Sequence, residues 1–270
     1  MPNPYTKPFL KWPGSKFRIL THLHTALPAG KRLIEPFVGS GAVFLNTGYS
    51  RYLLGDINPD LINLYTLIKL KTDDFICQAK PYFSLRYNTE IWYYRLRDEF
   101  NRTQDPIQKA ILFLYLNRHT YNGLCRYNQA GEFNAPFGYY KKPYFPEREI
   151  SYFAEKSQHA QFFCLPFEKM LTKARAGDVI YCDPPYVPLD PRAHFSLYTT
   201  KSFDLRSQHK LVGHAKRLAI KQLPVIVSNH NTAFTRQLYQ QAKLRYFKAR
   251  RSISCLGNHR HDANELLAVF

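Results

Sequence analysis

The sequence predicts an α/β protein, a doubly wound and mostly parallel sheet interrupted by an inserted helical, loop-rich domain. Three observations carry this expectation. The chain opens in a β-α-β-α order, the arrangement from which doubly wound sheets are built. The run Val179-Ile180-Tyr181-Cys182 is apolar without alternation, as befits a strand covered on both faces. Between these regions, from Thr72 to about Phe145, strand signals give way to helical stretches and then to loop. A length of 270 residues accommodates one large α/β domain with such an insertion.

Taken in order, residues 31–37 (KRLIEPF) form the first strand, and residues 40–48 (SGAVFLNTG) a short helix closed by glycine. Residues 51–56 (RYLLGD) form a second strand. Residues 59–70 (PDLINLYTLIKL) follow as a helix with Pro59 in its first turn, where its missing N–H costs nothing. The insertion then contributes helices in TEIWYYRLRDEFNR and DPIQKAILFLYLNR, and the loop HTYNGLCRYNQAGEFNAPFGYYKKPYF. Strands return at 160–165, 178–183 and 223–230, and KLRYFKARRSIS with ELLAVF are expected to close the sheet as antiparallel strands. No internal repeat interrupts this order.

Composition narrows the partners. Thirty-eight Lys and Arg against twenty Asp and Glu leave a net charge of +18, which implies a polyanionic partner, most often nucleic acid. Residues 1–32 hold six Lys/Arg and no acid, and residues 243–260 repeat that count. Twenty Tyr and twenty Phe accompany the charge, and aromatics near cations suit bases as well as phosphates. The five cysteines, Cys77, Cys125, Cys164, Cys182 and Cys255, are scattered and form no C-x-x-C pair. They read as free thiols of a reducing cytoplasm, with neither disulfide framework nor zinc knuckle. The histidines show no ligand spacing, so no metal is expected. No run has the length of a membrane helix and no secretion pattern opens the chain.

Two turns are candidates for chemistry. In Glu35-Pro36-Phe37-Val38-Gly39-Ser40-Gly41-Ala42-Val43-Phe44, two glycines stand between strand and helix, where a backbone can approach a ligand and helix N–H groups are free. The third glycine of a dinucleotide fingerprint is replaced by Phe44, so that fingerprint fails. Asp56, at the end of the second strand, stands where an acid accepts from the ribose hydroxyls of a nucleoside cofactor. The second turn is Asp183-Pro184-Pro185-Tyr186. Each proline fixes its own φ and pushes the preceding residue to an extended shape, so Asp183 is presented stiffly at the end of a strand.

With FLKWPGSK (9–16), EPFVGSGAVF (35–44), GDIN (55–58) and DPPY (183–186) in that order, the chain resembles the Dam family of DNA adenine-N6 methyltransferases. The likeness extends through LFLYLNRHTYNGLCRYN (112–128), GEFNAPFGYYKKPYF (131–145) and RRSIS (250–254), nearly the whole chain. It implies a Rossmann-like methyltransferase sheet formed by residues 1–58 and 146–270, with residues 59–145 as a target-recognition domain. It also implies S-adenosylmethionine as cofactor, with Trp12, Lys16, Asp56 and Asp183 lining the pocket beside Glu35, Phe37 and Gly39 of the glycine turn. Phe167, in PFEKM, suits the core and equally suits a place against the cofactor's adenine. Pro13 and Ser15 replace the family's usual small residues and stiffen their loop. The loop GNHRHDAN (257–264) also departs from the family's run; phosphate contact is the one role it suggests.

For an exocyclic adenine amine, whose lone pair is delocalised into the ring, two acceptors on its hydrogens would free that pair. The Asp183 carboxylate and the Pro184 carbonyl, stiffened by Pro185, could supply them, with Tyr186 stacked on the base. The base must leave the duplex to reach them, and Tyr121 is the residue expected to fill the gap. The resemblance places base contacts at Lys11, Asn122, Leu124, Arg126 and Pro136, with Tyr140 beside them, and implies the sequence GATC. Arg126 suits bidentate reading of guanine, whereas Lys141 and Lys142 suit phosphate. The expectation is therefore a cytoplasmic enzyme, monomeric in solution, acting on double-stranded DNA and not at a membrane. Methylation of RNA or of a protein glutamine is the nearest enzymatic alternative; a DNA-binding module without chemistry is the alternative of another class.

Overall fold

The computed structural model describes residues 4–187, 203–250 and 262–270. Residues 251–254 of the RRSIS stretch and 257–261 of the GNHRHDAN loop lie outside these ranges, as does Cys255. The described elements run α1 Leu20–Ala26, β1 Arg32–Glu35, α2 Ala42–Leu45, β2 Arg51–Asp56, α3 Pro59–Leu70, α4 Thr72–Ala79, α5 Glu90–Arg102 and α6 Pro106–His119. After a loop come α7 Glu147–Ser157, β3 Ala160–Cys164, α8 Phe167–Leu171, β4 Asp178–Cys182, α9 Leu205–Ile220, β5 Val225–His230, α10 Ala233–Leu238, β6 Lys243–Arg250 and β7 Asp262–Val269.

The strands make one seven-stranded sheet in the order β3-β2-β1-β4-β5-β7-β6. The first five are parallel, and β7 enters antiparallel between β5 and β6. Both faces are covered, and the strands show it residue by residue. Leu33, Tyr52, Leu54, Val179, Tyr181 and Ile226 pack into one core. Their neighbours Ile34, Leu53, Ile180, Cys182, Val225 and Val227 pack into the other. Side chains alternate across a strand, so two apolar faces need an unbroken apolar run.

Local chemistry sets the element ends. β1 stops at Glu35 rather than at Phe37 because Pro36 has no N–H to offer the ladder. The helix after it is one turn, Ala42–Leu45, since Gly39 and Gly41 both take positive φ. Helix α3 begins where the Asn58 side chain accepts from the Asp60 and Leu61 N–H groups, with Pro59 at its first position. Asp105 caps α6 in the same manner. Helix α3 packs on β2 and β3 as well as on α6, and Lys69 reaches the Ala160 carbonyl at 2.7 Å. It joins the sheet layer to the helices that follow. No helix among the described residues is long and apolar enough to cross a membrane.

β1 lies between β2 and β4, with connections leaving to opposite sides. The ends of β1 and β4 therefore flank the crevice where the strand order reverses, the place at which open α/β sheets bind ligands. At the other end of the same pair, Arg32 and Asp178 face each other in register. Their side chains meet twice, Nε to Oδ1 at 2.9 Å and Nη2 to Oδ2 at 2.6 Å, with Asp178 only 3% exposed. Removing one partner of such a pair strands a buried charge. Asp178→Ala is expected to lower the unfolding free energy in urea by about 3 kcal/mol. A loss below about 1 kcal/mol would mean that the pair contributes as little as a surface contact.

Candidate active site

The site gathers at the crevice between β1 and β4. Asp183 follows β4 directly, and its Oδ1 takes two donors: Lys16 Nζ at 2.9 Å and Ser228 Oγ at 2.8 Å. Both contacts fall on one oxygen, which leaves Oδ2 to accept from a substrate. Ser228, fully buried on β5, also meets the Tyr181 hydroxyl at 3.0 Å. Lys16 is 8% exposed. Its ammonium donates to the Gly14 carbonyl at 2.6 Å and lies 4.4 Å from the centre of the Tyr186 ring. Burial raises the Asp183 pKa above the usual aspartate value, and Lys16 and Ser228 pull it back. Among the described residues no donor reaches the Pro184 carbonyl, so the acid and this carbonyl form a pair of available acceptors.

Lys16 is aimed by the loop before it. Pro13 and Gly14 form the corner of a turn in which the Ser15 N–H donates to the Trp12 carbonyl at 3.1 Å. The positive φ of Gly14, 76°, is what the third position of a type II turn requires. Ser15 Oγ then meets Ser40 Oγ at 2.9 Å, tying this loop to the glycine turn. The two residues that depart from the family thus make defined structure. Trp12 lies edge-on to Gly39, where an added Cβ would come within 3.0 Å of the indole nitrogen. Gly39 also adopts φ 46°, so a side chain there is excluded twice over. Its N–H donates to Asp56 Oδ2 at 3.2 Å, and its carbonyl accepts from the Tyr65 hydroxyl at 2.5 Å. Asp56 Oδ1 accepts from the Asn58 N–H at 3.0 Å, so this acid is oriented at the end of β2 as expected.

Glu35 is a second buried carboxyl, at the end of β1. Burial raises its pKa well above the ordinary glutamate value, and the charge of Asp183 raises it further. The Phe44 N–H opposes this shift only in part. Its Oε1 is buried without a partner among the described residues, an acceptor that a polar ligand group can satisfy. Phe37, Phe167 and Phe203 pack ring to ring, each pair with centroids 5.5 Å apart. Phe167 is 8% exposed and belongs to the core, stacked on Phe37 and tilted against Phe203. The acids, the glycine cradle and the aromatic trio together fit a nucleoside that carries a charged chain.

The expected DNA-facing residues form a neighbouring cluster. The Lys11 backbone is paired both ways with Asn117 at the end of α6: its N–H donates to Oδ1 at 2.9 Å, and its carbonyl accepts from Nδ2 at 2.6 Å. Lys11 Nζ lies 3.7 Å from the Tyr140 ring centre and donates to the Arg118 carbonyl. Burial, with Arg118 nearby, lowers its pKa to about 8. The Tyr140 hydroxyl accepts from the Asn122 N–H at 2.9 Å. Tyr121 is 57% exposed, and its N–H donates to the Pro136 carbonyl. Leu124 packs partly against the core. Arg126 stands apart: its Nε and Nη2 donate to the Asn134 side chain and carbonyl at 2.8 and 3.0 Å. Two of its donors are therefore engaged within the protein. Lys141 and Lys142 are exposed.

Several site residues escape a reading of the sequence. Ser228, Phe203 and Asn117 reach the site from distant segments. Ser228 alone carried a signal, as the first of three polar residues ending the apolar strand 225–230, at the edge where parallel sheets bind ligands.

The raised Glu35 pKa has a consequence for stability. The folded state favours the protonated carboxyl, so the associated stability is complete below the unfolded value near 4.5 and is lost as pH rises toward the higher folded value. Glu35→Gln cannot ionise. Its melting temperature is expected to match the parent's at about pH 5 and exceed it at about pH 8; an equal change at both would show that Glu35 titrates normally.

Residues 12–253 match the family described as D12 class N6 adenine-specific DNA methyltransferase. The DNA adenine methylase of Escherichia coli (strain K12) is 52% identical over 262 residues, which cover 97% of this chain and 94% of that protein. The DNA adenine methylase of Serratia marcescens is 53% identical over 97% of both. That of Haemophilus influenzae is 48% identical over 98% of this chain and 93% of its own. The match runs across both the crevice and the cluster beside it. The chain belongs to the D12 class of N6 adenine-specific DNA methyltransferases, and within it to the Dam family, enzymes that methylate adenine in DNA.

Proposed function

We propose that the methyl donor is S-adenosylmethionine, that the substrate is duplex DNA at GATC, and that the target adenine turns out of the helix before reaction. The observation that carries this reading is the Asp183 carboxylate, anchored through one oxygen by Lys16 and Ser228 at the crevice beside the glycine turn. Asp56 suits the ribose hydroxyls, and Trp12, Gly39 and the Phe37–Phe167–Phe203 group suit the adenosine. The unpartnered Oε1 of Glu35 suits the amino end of the methionine part. S-adenosylmethionine, when bound, supplies an electrophilic methyl group on a sulfonium.

The protein's own residues prepare the nucleophile. Asp183 Oδ2 and the Pro184 carbonyl accept from the two hydrogens of the adenine amine, which draws its nitrogen toward tetrahedral geometry and frees the lone pair. Positive charge then develops on that nitrogen beside a carboxylate already in place, so little reorganisation is needed. Lys16 favours the ionised form of Asp183 against the effect of burial. The Tyr186 ring stacks on the base and holds it in plane, and the surrounding apolar walls exclude water. Tyr121, exposed on its loop beside Lys11 and Tyr140, fills the space the base leaves. Residues 59–145 act as the target-recognition region and the remainder as the catalytic domain. The enzyme works as a monomer in the cytoplasm.

Plasmid DNA from cells expressing the enzyme, in a host without adenine methylation, tests the whole reading. Resistance to a GATC nuclease blocked by methylation, with sensitivity to one that requires it, is the expected result. Asp183→Ala should reverse both, with turnover lowered by about a thousandfold. Label from S-adenosylmethionine entering only RNA or protein would overturn the substrate assignment. Arg126→Ala should reduce discrimination at one base pair by roughly 10- to 100-fold while leaving S-adenosylmethionine affinity unchanged. Equal loss of binding on every sequence would instead assign Arg126 to positioning the loop through Asn134.

A further inference from the structure

The main chain on both sides of Tyr186 is held by side chains that never reach the crevice. Gln208, in the first turn of α9, donates from Nε2 to the Pro185 carbonyl at 2.9 Å. Asn229, near the end of β5, accepts the Val187 N–H on Oδ1 at 3.1 Å. The two amides are joined: Asn229 Nδ2 donates to Gln208 Oε1 at 3.2 Å and to the Tyr239 hydroxyl at 2.9 Å. The Tyr239 hydroxyl in turn donates to Gln208 Oε1 at 3.4 Å. His230 adds a ring nitrogen, 2.7 Å from the Val187 carbonyl. Gln208, Asn229 and Tyr239 are all fully buried.

Three polar groups sunk between α9, β5 and the end of α10 cost desolvation that apolar residues would avoid. Their pairing offsets that cost, and the closed triangle leaves each amide one arrangement. What the triangle presents outward is one donor and one acceptor, both turned to the peptides that flank Tyr186. A backbone gripped on each side has no freedom to rotate the residue between the grips. We infer that Gln208 and Asn229, braced by Tyr239, are positioning residues that set the angle of the Tyr186 ring for stacking on the target base. This rests on the proposed role of Tyr186. Tyr186 is otherwise held through its side chain, by the Lys16 ammonium 4.4 Å from its ring centre, a T-shaped contact with His230 at 4.8 Å and a hydroxyl contact to Glu265 at 3.2 Å; none of these fixes the main chain.

The test compares Gln208→Met, Tyr239→Phe and Tyr186→Ala with the parent enzyme in single-turnover methylation of a duplex oligonucleotide. Emission from 2-aminopurine at the target position is read in parallel. Gln208→Met is expected to slow the methyl-transfer step by about 10- to 100-fold. Its 2-aminopurine emission should shift toward that of Tyr186→Ala, while KM for DNA and affinity for S-adenosylmethionine stay within about twofold. Tyr239→Phe removes only the bracing hydroxyl and serves if Gln208→Met does not fold. It should show the same pattern with a smaller loss of about two- to tenfold. Parent-like rates and emission in both variants, with Tyr186→Ala impaired, would overturn the positioning role and leave the stacking reading intact. Parent-like behaviour of Tyr186→Ala would overturn the stacking reading and this inference with it.

Discussion

The contact between Lys16 and Asp183 organises the site. An aspartate at the end of a buried strand would otherwise be drawn toward its neutral form by loss of solvent. A lysine only 8% exposed, aimed by a proline–glycine corner and placed 2.9 Å away, opposes that drift. Ser228 restrains the same oxygen from the opposite strand. The acid is consequently oriented and open on one side, with a cation that favours its charged form against burial. A surface ion pair of the same length would contribute little. This one matters because water is largely absent around it.

The crevice holds two carboxyl groups whose pKa values burial raises, with a cation opposing the rise at Asp183. Asp183 has a cation against it; Glu35 has the Phe44 N–H and the charge of Asp183, which raises its pKa further. Burial and a neighbouring negative charge favour the neutral form of Glu35, while the ammonium beside Asp183 opposes the same trend there. The two acids stand at the ends of adjacent strands β1 and β4, so the sheet register itself keeps the two groups close.

The segment from Lys11 to Lys16 connects the parts. At one end Lys11 is paired with Asn117 and lies over Tyr140. Trp12 and Ser15 contact the glycine turn, and Lys16 reaches Asp183. Six residues thus touch the loop proposed to face DNA, the glycine turn and Asp183. A displacement at any one contact is shared by the others, because a short chain with a proline–glycine corner has little slack.

The sequence by itself determined the layered sheet, the positions of its strands and the two turns proposed to carry the chemistry. These rest on local rules. Unbroken apolar runs mark strands buried on both faces, glycine marks backbone at positive φ, and proline stiffens what precedes it, as the runs 179–182 and 52–54 and the turns at Gly39 and Asp183 show. Helix α9 follows the same local rules, with Asp204 as its cap and Leu211, Ala215 and Leu218 on one face. What only the tertiary structure decided is which distant side chains share the crevice. Ser228 on Asp183, Asn117 on Lys11, Asn134 on Arg126 and the Gln208–Asn229–Tyr239 triangle each depend on register between strands or on how a helix sits over the sheet. No local pattern encodes such a meeting, since an amide or hydroxyl reads the same in a chain whether it ends in solvent or against a catalytic loop. Its role follows from burial and partners, and those exist only once the layers have packed.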